Sequence, residues 1–185
     1  MKAKQLLWPA LPALLLIPSC KGGKGPAQSD KPNVLFIFVD DLRIWGKHTV
    51  LETASSSALV IRAPGHPQGL VNDRIVSAID LYPTLMDLCG VPCPEGLDGH
   101  SLVPLLDRPD DPSWQDVAYT YYRHVLSVRT LQYRLARCIQ DGVVSTELYE
   151  YGPDRIEHRN IAAEKPGVVA ELIPLWEKGR TGAFR

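Results

Sequence analysis

The sequence predicts an α/β protein in two parts: an α/β layer over residues 32–112, and a small antiparallel sheet with one helix against it over 113–185. Three observations carry this expectation. Val34-Leu35-Phe36-Ile37-Phe38-Val39 is a continuous apolar run that stops abruptly at Asp40-Asp41, which suits a strand buried on both faces of a parallel sheet. Beyond Pro112 the texture changes to short β-rich segments separated by turn signals such as Asp141-Gly142. After Pro166, the residues Val169, Leu172, Ile173 and Trp176 recur at helical spacing.

Taken in order, the carboxyl end of 34–39 comes first. Open α/β sheets place their ligand crevice there, so Asp40 and Asp41 stand where a cation or substrate would bind. A second short strand is expected over 58–62, before Ala63-Pro64-Gly65. Asp80 can cap a helix that carries Leu81, Leu85 and Leu88 on one face, with Pro83 in its first turn and Gly90 just past its end. Residues 101–106 read as a short helix or helical turn. Strands are expected over 117–122, 126–129, 133–139 and 147–151. Pro174 is expected to kink or shorten the last helix.

Length and charge set the outer bounds. The 185 residues allow one domain, or one with a small subdomain. A hydrophobic share of 45% with 22% charged residues excludes a disordered chain. Twenty basic against 21 acidic residues give a net charge of −1, so the basic excess expected of a nucleic-acid binder is missing.

Residues 1–20 read as an export signal. Lys2 and Lys4 supply the positive start, and an apolar core from Leu6 to Ile17 is shorter than the ~20 residues needed to span a bilayer. The core ends in Ile17-Pro18-Ser19-Cys20, which resembles the bacterial lipobox, whose cysteine becomes the lipidated first residue; an ordinary signal peptide is the alternative. Cleavage before Cys20 would remove two lysines and no acid, moving the formal charge from −1 to −3. Residues 21–31 form a Gly/Pro/Ser-rich tether suited to holding a domain off a membrane. Cys89 and Cys93 lack the C-x-x-C spacing of zinc or redox sites. They could pair in an oxidising compartment, or Cys89 could simply end its helix as a small buried hydrophobe. Cys138 is expected in the core of a strand.

Several segments together resemble a known family in its own order. Residues 32–43, Pro-Asn-Val-Leu-Phe-Ile-Phe-Val-Asp-Asp-Leu-Arg, look like the opening strand and paired aspartates of the sulfatases of the alkaline phosphatase superfamily, in the iduronate-2-sulfatase-like bacterial branch. Trp45-Gly46-Lys47-His48-Thr49 with Glu52 resembles a later lysine motif. Ala63-Pro64-Gly65, the segments 80–85 and 98–106, then Ser127-Val128-Arg129-Thr130 with Tyr133-Arg134-Leu135, Glu147-Leu148-Tyr149 and Asn160-Ile161-Ala162 continue the match. The fold is then the remnant of an alkaline-phosphatase-like sulfatase sheet followed by the carboxy-terminal subdomain.

The resemblance implies hydrolysis of a sulfate ester, on a sulfated sugar or glycosaminoglycan-like substrate, with a bound divalent cation, usually calcium. Negative charge grows on the leaving oxygen as the S–O bond breaks, so cations must be fixed around it in advance. Asp40 and Asp41 suit a hard cation that takes oxygen ligands. Lys47 would hold a sulfate oxygen as a point charge, and His48 could contact substrate or donate a proton. Without the family match, an Asp-Asp pair after a strand is more commonly a turn or cap, and a Lys-His pair in a polar loop is commonly solvated. Arg129 and Tyr133 are expected to be structural strand residues, with lining of the substrate mouth as the lesser alternative. Asp98-Gly99-His100 differs in order from the family's Asp-His-Gly metal motif.

The family's nucleophile, a cysteine or serine in a C/S-x-P-S-R setting, has no counterpart in this sequence. Arg43 is followed almost at once by the lysine motif, where the family has a long segment between them. A deletion or a gene-model error near 43–44 is therefore expected, leaving no nucleophile and an incomplete cation shell, and hence no turnover of this chain as given. Two other readings stay open: a non-catalytic lipid-anchored surface protein that binds sulfated glycan, and a fragment of a phosphodiesterase or phosphonate monoester hydrolase.

Overall fold

The computed structural model describes residues 48–182. The strand expected over 34–39, the aspartates 40 and 41, Lys47 and Cys20 lie outside the described residues.

The carboxy-terminal part is a four-stranded meander. Strands β1 (Ala118–Tyr122), β2 (Val125–Arg129), β3 (Tyr133–Gln140) and β4 (Val143–Glu150) lie side by side in chain order, each antiparallel to the next. The register pairs Val128 with Leu135 and Leu135 with Leu148, so these three share one face of the sheet. Arg129 pairs with Arg134 on the opposite face. Asp141 and Gly142 join β3 to β4 as a two-residue turn in which both residues have positive φ, the geometry that matches strand twist and that Asp-Gly favours.

The last helix of the protein covers the apolar face. It spans Pro166–Thr181 and buries Leu172, Trp176 and Gly179 against Leu126, Val128, Leu135 and Leu148. Each fully buried Leu or Val contributes roughly 1.5–3 kcal/mol. The Trp176 indole is buried with its polar atom satisfied, donating to the Leu126 carbonyl at 2.8 Å, while the Arg137 guanidinium lies 4.8 Å from its ring centroid. Tyr119 donates its hydroxyl to the Leu175 carbonyl at 3.0 Å. Gly179 lets helix and sheet approach closely: a Cβ there would stand 2.4 Å from the Tyr119 ring and 3.3 Å from Leu126. Pro174 neither ends nor shortens this helix. It and Ala170, whose carbonyl loses its donor to the proline ring, are both exposed, so water can take that bond.

Residues 52–107 contribute three helices and a 3₁₀ turn: α1 (Glu52–Ser55), the turn Ala78–Asp80, α2 (Leu81–Leu88) and α3 (Val103–Asp107); the carboxy-terminal helix is α4. The Asp80 carboxylate accepts from the Ser77 N–H (2.7 Å) and the His100 N–H (2.9 Å), so it ties the start of α2 to the 98–101 turn instead of capping in the simple sense. Thr84 extends the tie, accepting from the Leu102 N–H at 2.8 Å. Gly90 ends α2 at positive φ, and the Val91 N–H reaches back to the Met86 carbonyl as a Schellman closure requires. Cys89 stands half-buried at that helix end; Cys89, Cys93 and Cys138 are free, and Cys138 is half-buried in β3.

The strand expected over 58–62 does not form. The stretch pairs with no strand among the described residues, and Val60 is 90% exposed. β-rich composition is a preference for a half-buried pleated surface, and it gives no strand where no neighbour supplies the ladder. No helix among the described residues is long and apolar enough to cross a membrane.

Gly179→Ala is expected to lower stability by about 1–3 kcal/mol, because Tyr119 must shift and its bond to Leu175 weakens. Urea unfolding checks this, and pairing the change with Tyr119→Ala should cost less than the sum of the two single variants.

Candidate functional site

The residues that build the site come from the sheet face opposite α4. In the β3 sequence Tyr133-Arg134-Leu135, alternation sends Leu135 to the core and Arg134 to the other side. Arg134 is nevertheless 1% exposed, and a buried guanidinium must find acceptors for every N–H. It does. Its Nη1 donates to the Val50 carbonyl (2.7 Å) and to Ser127 Oγ (2.9 Å). Its Nη2 donates to Glu52 Oε2 (2.7 Å) and to Ser55 Oγ (3.2 Å). Its Nε is shared between the Tyr151 hydroxyl (2.8 Å) and Glu157 Oε1 (3.0 Å).

Neighbours reinforce the arrangement. Glu157 Oε1 also accepts from the Glu52 N–H at 2.9 Å and from the Tyr151 hydroxyl at 2.5 Å. Arg129 donates its Nε to Glu52 Oε2 at 3.3 Å and lies over the Tyr151 ring with 3.5 Å to the centroid. Burial pulls the Arg129 guanidinium below its usual value and pushes the Tyr151 phenol above its own, so Tyr151 stays protonated and can donate. Arg129 Nη1 and Glu157 Oε2, a donor and an acceptor, are buried without a partner among the described residues.

This cluster clamps residues 50–52 to β2 and β3, and so fixes the backbone two residues after His48. His48 itself is exposed, at φ 78°, with its ring 5.6 Å from that of Tyr122 at the end of β1. Arg123, the first residue of the β1–β2 turn, places its guanidinium carbon 5.2 Å from the same Tyr122 ring. His48 is thus the one predicted site residue that the structure places, and the β1–β2 hairpin tip is what it meets.

Other expectations resolve more simply. Arg129 is structural, as its burial and its bond to Glu52 require. Tyr133 belongs to a surface network, donating to Glu150 at 3.1 Å beside Lys165, whose ammonium bonds Glu150 at 2.8 Å. Among the described residues no group of three or more His, Cys, Asp and Glu could hold a metal ion, so these residues do not by themselves fit a calcium site. An open groove of about 370 Å³, lined by Glu150, Tyr151, Gly152, His158, Arg159 and Ile161, contains none of the predicted site residues.

A four-stranded antiparallel meander with one helix across its apolar face, beside short helices, is the mixed α/β fold of alkaline-phosphatase-like sulfatases. The model of the family described as N-sulphoglucosamine sulphohydrolase, C-terminal, matches residues 41–174, and the chain belongs to that sulfatase family. Arylsulfatase K of Danio rerio is 36% identical over 142 residues, covering 70% of this chain and 26% of that protein. Arylsulfatase K of Bos taurus is 28% identical over 138 residues, covering 68% and 26%. Among solved structures, a phosphonate monoester hydrolase from Silicibacter pomeroyi superposes with a TM-score of 0.65 at 26% identity, over 74% of this chain and 31% of that one. A Bacteroides thetaiotaomicron protein assigned provisionally as a sulfatase gives 0.53 at 26% identity, over 64% and 28%. The chain spans about a quarter of the length of the curated relatives it matches.

Two expectations follow from the clamp. Arg134→Met leaves Glu157 buried without its cation and should cost about 3–5 kcal/mol in urea unfolding, part of which Glu157→Leu in the same chain should restore. The raised phenol of Tyr151, and that of Tyr149, pushed up to about 12 by burial and the Glu147 charge, favour the protonated folded state. Their contribution is complete below the ordinary tyrosine value of about 10 and lost as pH rises beyond it. The urea midpoint should therefore fall above pH ~10, and fall less in Tyr151→Phe.

Proposed function

We propose that the chain derives from a sulfuric ester hydrolase of the iduronate-2-sulfatase-like branch, and that as it stands it binds a sulfate ester without turning it over. The position of the family match carries this reading. It begins at residue 41, inside the opening segment 32–43, and its description as carboxy-terminal supports a reading in which the two ends of a longer enzyme adjoin there with no nucleophile setting between them. The quarter-length coverage of the arylsulfatase K relatives fits a chain that carries only part of such an enzyme. The uncovered side chains of Val60 and Val71, 90% and 87% exposed, suit an α/β layer that has lost its neighbours.

In this reading Lys47 and His48 receive the sulfate of a sulfated sugar or polysaccharide. Lys47 supplies a compact positive charge to one oxygen, and His48, held by the clamp behind it, supplies a ring N–H to another. Calcium would be held by Asp40 and Asp41. A cation of that kind takes about six to eight oxygens, and two carboxylates fall short, so binding here is assigned to Lys47 and His48 alone. Cys20 would anchor the exported chain in a bacterial membrane, residues 21–31 would hold the domains 32–112 and 113–185 away from it, and two acyl chains would make the attachment stable. The likeness to the Silicibacter pomeroyi phosphonate monoester hydrolase favours a second reading, in which the ester is a phosphonate or phosphodiester.

The purified chain should hydrolyse neither an aryl sulfate nor a phenyl phosphonate above the buffer rate; formylglycine-dependent turnover of either would overturn the inactive reading and choose between the esters. Inorganic sulfate should shift the His48 ring signals in a proton NMR titration, with affinity reduced about tenfold by Lys47→Ala. Cys20→Ser should abolish lipid processing and move the protein out of the membrane fraction. Continuous nucleotide reads across the codons for Arg43 and Ile44 would establish the deletion; an intron or frame error there would restore a longer enzyme.

A further inference from the structure

Residues 57–62 are β-rich, and the described structure gives them no ladder. The chain leaves α1 at Ser56 in extended geometry, φ −90° and ψ 133°, and over 57–62 it makes no backbone hydrogen bond among the described residues. Both ends of the stretch are held. Ser55 Oγ accepts from Arg134 Nη2 at 3.2 Å, inside the clamp. Beyond the stretch, Ala63 is buried and opens a turn whose His66 Nδ1 lies 2.8 Å from Asp107 Oδ1. Between these anchors the side chains face water: Leu59 is 42% and Val60 90% exposed, and Ile61 is half-buried. Unpaired backbone under apolar side chains is a template for strand pairing, and natural edges guard against it with charge, proline or cover. The outer edge of β4 has such cover. Its Leu148 N–H donates to Asn160 Oδ1 at 3.0 Å, and its Leu148 carbonyl accepts from the Ile161 N–H at 2.8 Å. Residues 53–61, by contrast, contain no charged residue, no proline and no glycine.

We propose that residues 57–63 are an interaction surface for a second copy of this chain, joined by antiparallel strand pairing about a two-fold axis at Val60. The distribution of charge selects both the occupant and the direction. Arg62 is the one charged residue in 53–65. In an antiparallel pair centred on Val60, Leu59 meets Ile61 and Arg62 meets Ala58, so apolar side chains oppose one another and each cation faces an alanine. The two Arg62 residues then stand four positions apart along the ladder, about 14 Å at ~3.4 Å per residue. That exceeds the screening length of about 8 Å at physiological salt. A parallel pair would set them side by side at about 4.8 Å, where like charges oppose association. Pro64, which has no N–H to give, bounds the ladder and falls opposite Ser56. The stretch is thus its own complement, as an isologous contact requires. With both ends already anchored, it gives up little freedom on pairing. The inference is independent of the sulfate-binding reading above.

Sedimentation equilibrium of the full chain over about 1–200 μM tests this, and should show a monomer–dimer equilibrium with a micromolar dissociation constant. Val60→Lys and Val60→Glu should each raise that constant about tenfold or more, because each sets like charges opposite one another at the axis. Neither should move the urea midpoint of the monomer, since the Val60 side chain faces water. An equimolar mixture of the two variants should form a heterodimer, with lysine now facing glutamate. Arg62→Ala should change the constant by no more than about twofold, because the two cations are screened from each other. A chain that stays monomeric throughout the range overturns the proposal and leaves the stretch without a second copy as its occupant. A dimer that neither Val60 variant weakens overturns it too, since another surface then makes the contact. Variants that weaken the dimer but do not pair on mixing overturn the register at Val60, and species that grow beyond the dimer overturn the two-fold closure.

Discussion

The described structure depends on one buried cation. Arg134 sits in the middle of a sheet, on the face without a covering helix, and water is excluded from it by the chain segments it bonds. A guanidinium in such a place is tolerable only when all five of its N–H groups are met and its charge is balanced. The acceptors are six residues from three separate stretches of sequence: Val50, Glu52 and Ser55 from the motif loop and α1, Ser127 from β2, Tyr151 and Glu157 from beyond β4. The requirement to satisfy one side chain therefore dictates where residues 50–55 and 151–157 lie on the sheet. The apolar face, with Trp176 and its leucines, supplies most of the stability; the polar face supplies the placement.

That division explains how an exposed loop residue can be held in one place. His48 makes its described contact with an aromatic ring, and its own backbone is strained. Left to itself such a residue would relax. It is held because Val50 and Glu52, two and four residues later, are fixed by Arg134 and Arg129, while Tyr122 belongs to a strand hydrogen-bonded to β2, which carries Arg129 and Ser127. Both sides of the His48 and Tyr122 contact are thus referred to one rigid element. A polar cluster that would be a doubtful source of net stability is well suited to positional accuracy.

The sequence made the strands and the last helix legible because each has its own apolar period, which depends only on neighbours along the chain. Val128 and Leu135 alternate with polar residues, and Leu172, Trp176 and Gly179 follow a helical repeat. The 58–62 segment misled for the opposite reason: a strand is made by its partner, and none among the described residues pairs with it. Pro174 did not shorten the helix because the cost of a helical proline depends on whether the freed carbonyl can reach water, a property of tertiary placement. The lysine motif, with Glu52 in it, was readable as a motif. Its anchoring was not, since nothing in the local sequence of Tyr133-Arg134-Leu135 distinguishes a buried arginine from the solvated one that alternation would ordinarily leave on the open face. The cue was available only in combination: an acid at 52 inside a motif, arginines at 129 and 134 in register across two strands, and a further acid at 157.

The clamp also bears on what a deletion near 43–44 could leave standing. Every described partner of Arg134 and Arg129 lies at or beyond residue 50, and the described hydrophobic core of the meander draws on residues from 117 onward. A join at 43–44 would remove neighbours from the amino-terminal sheet without unpairing any buried charge in the carboxy-terminal part. An excision a few residues later would be a different matter, since loss of Glu52 would strand two buried guanidinium groups and cost more than most domains can lose. A join at that position would therefore leave the described contacts of the carboxy-terminal subdomain intact and keep Lys47 and His48 attached to it in sequence.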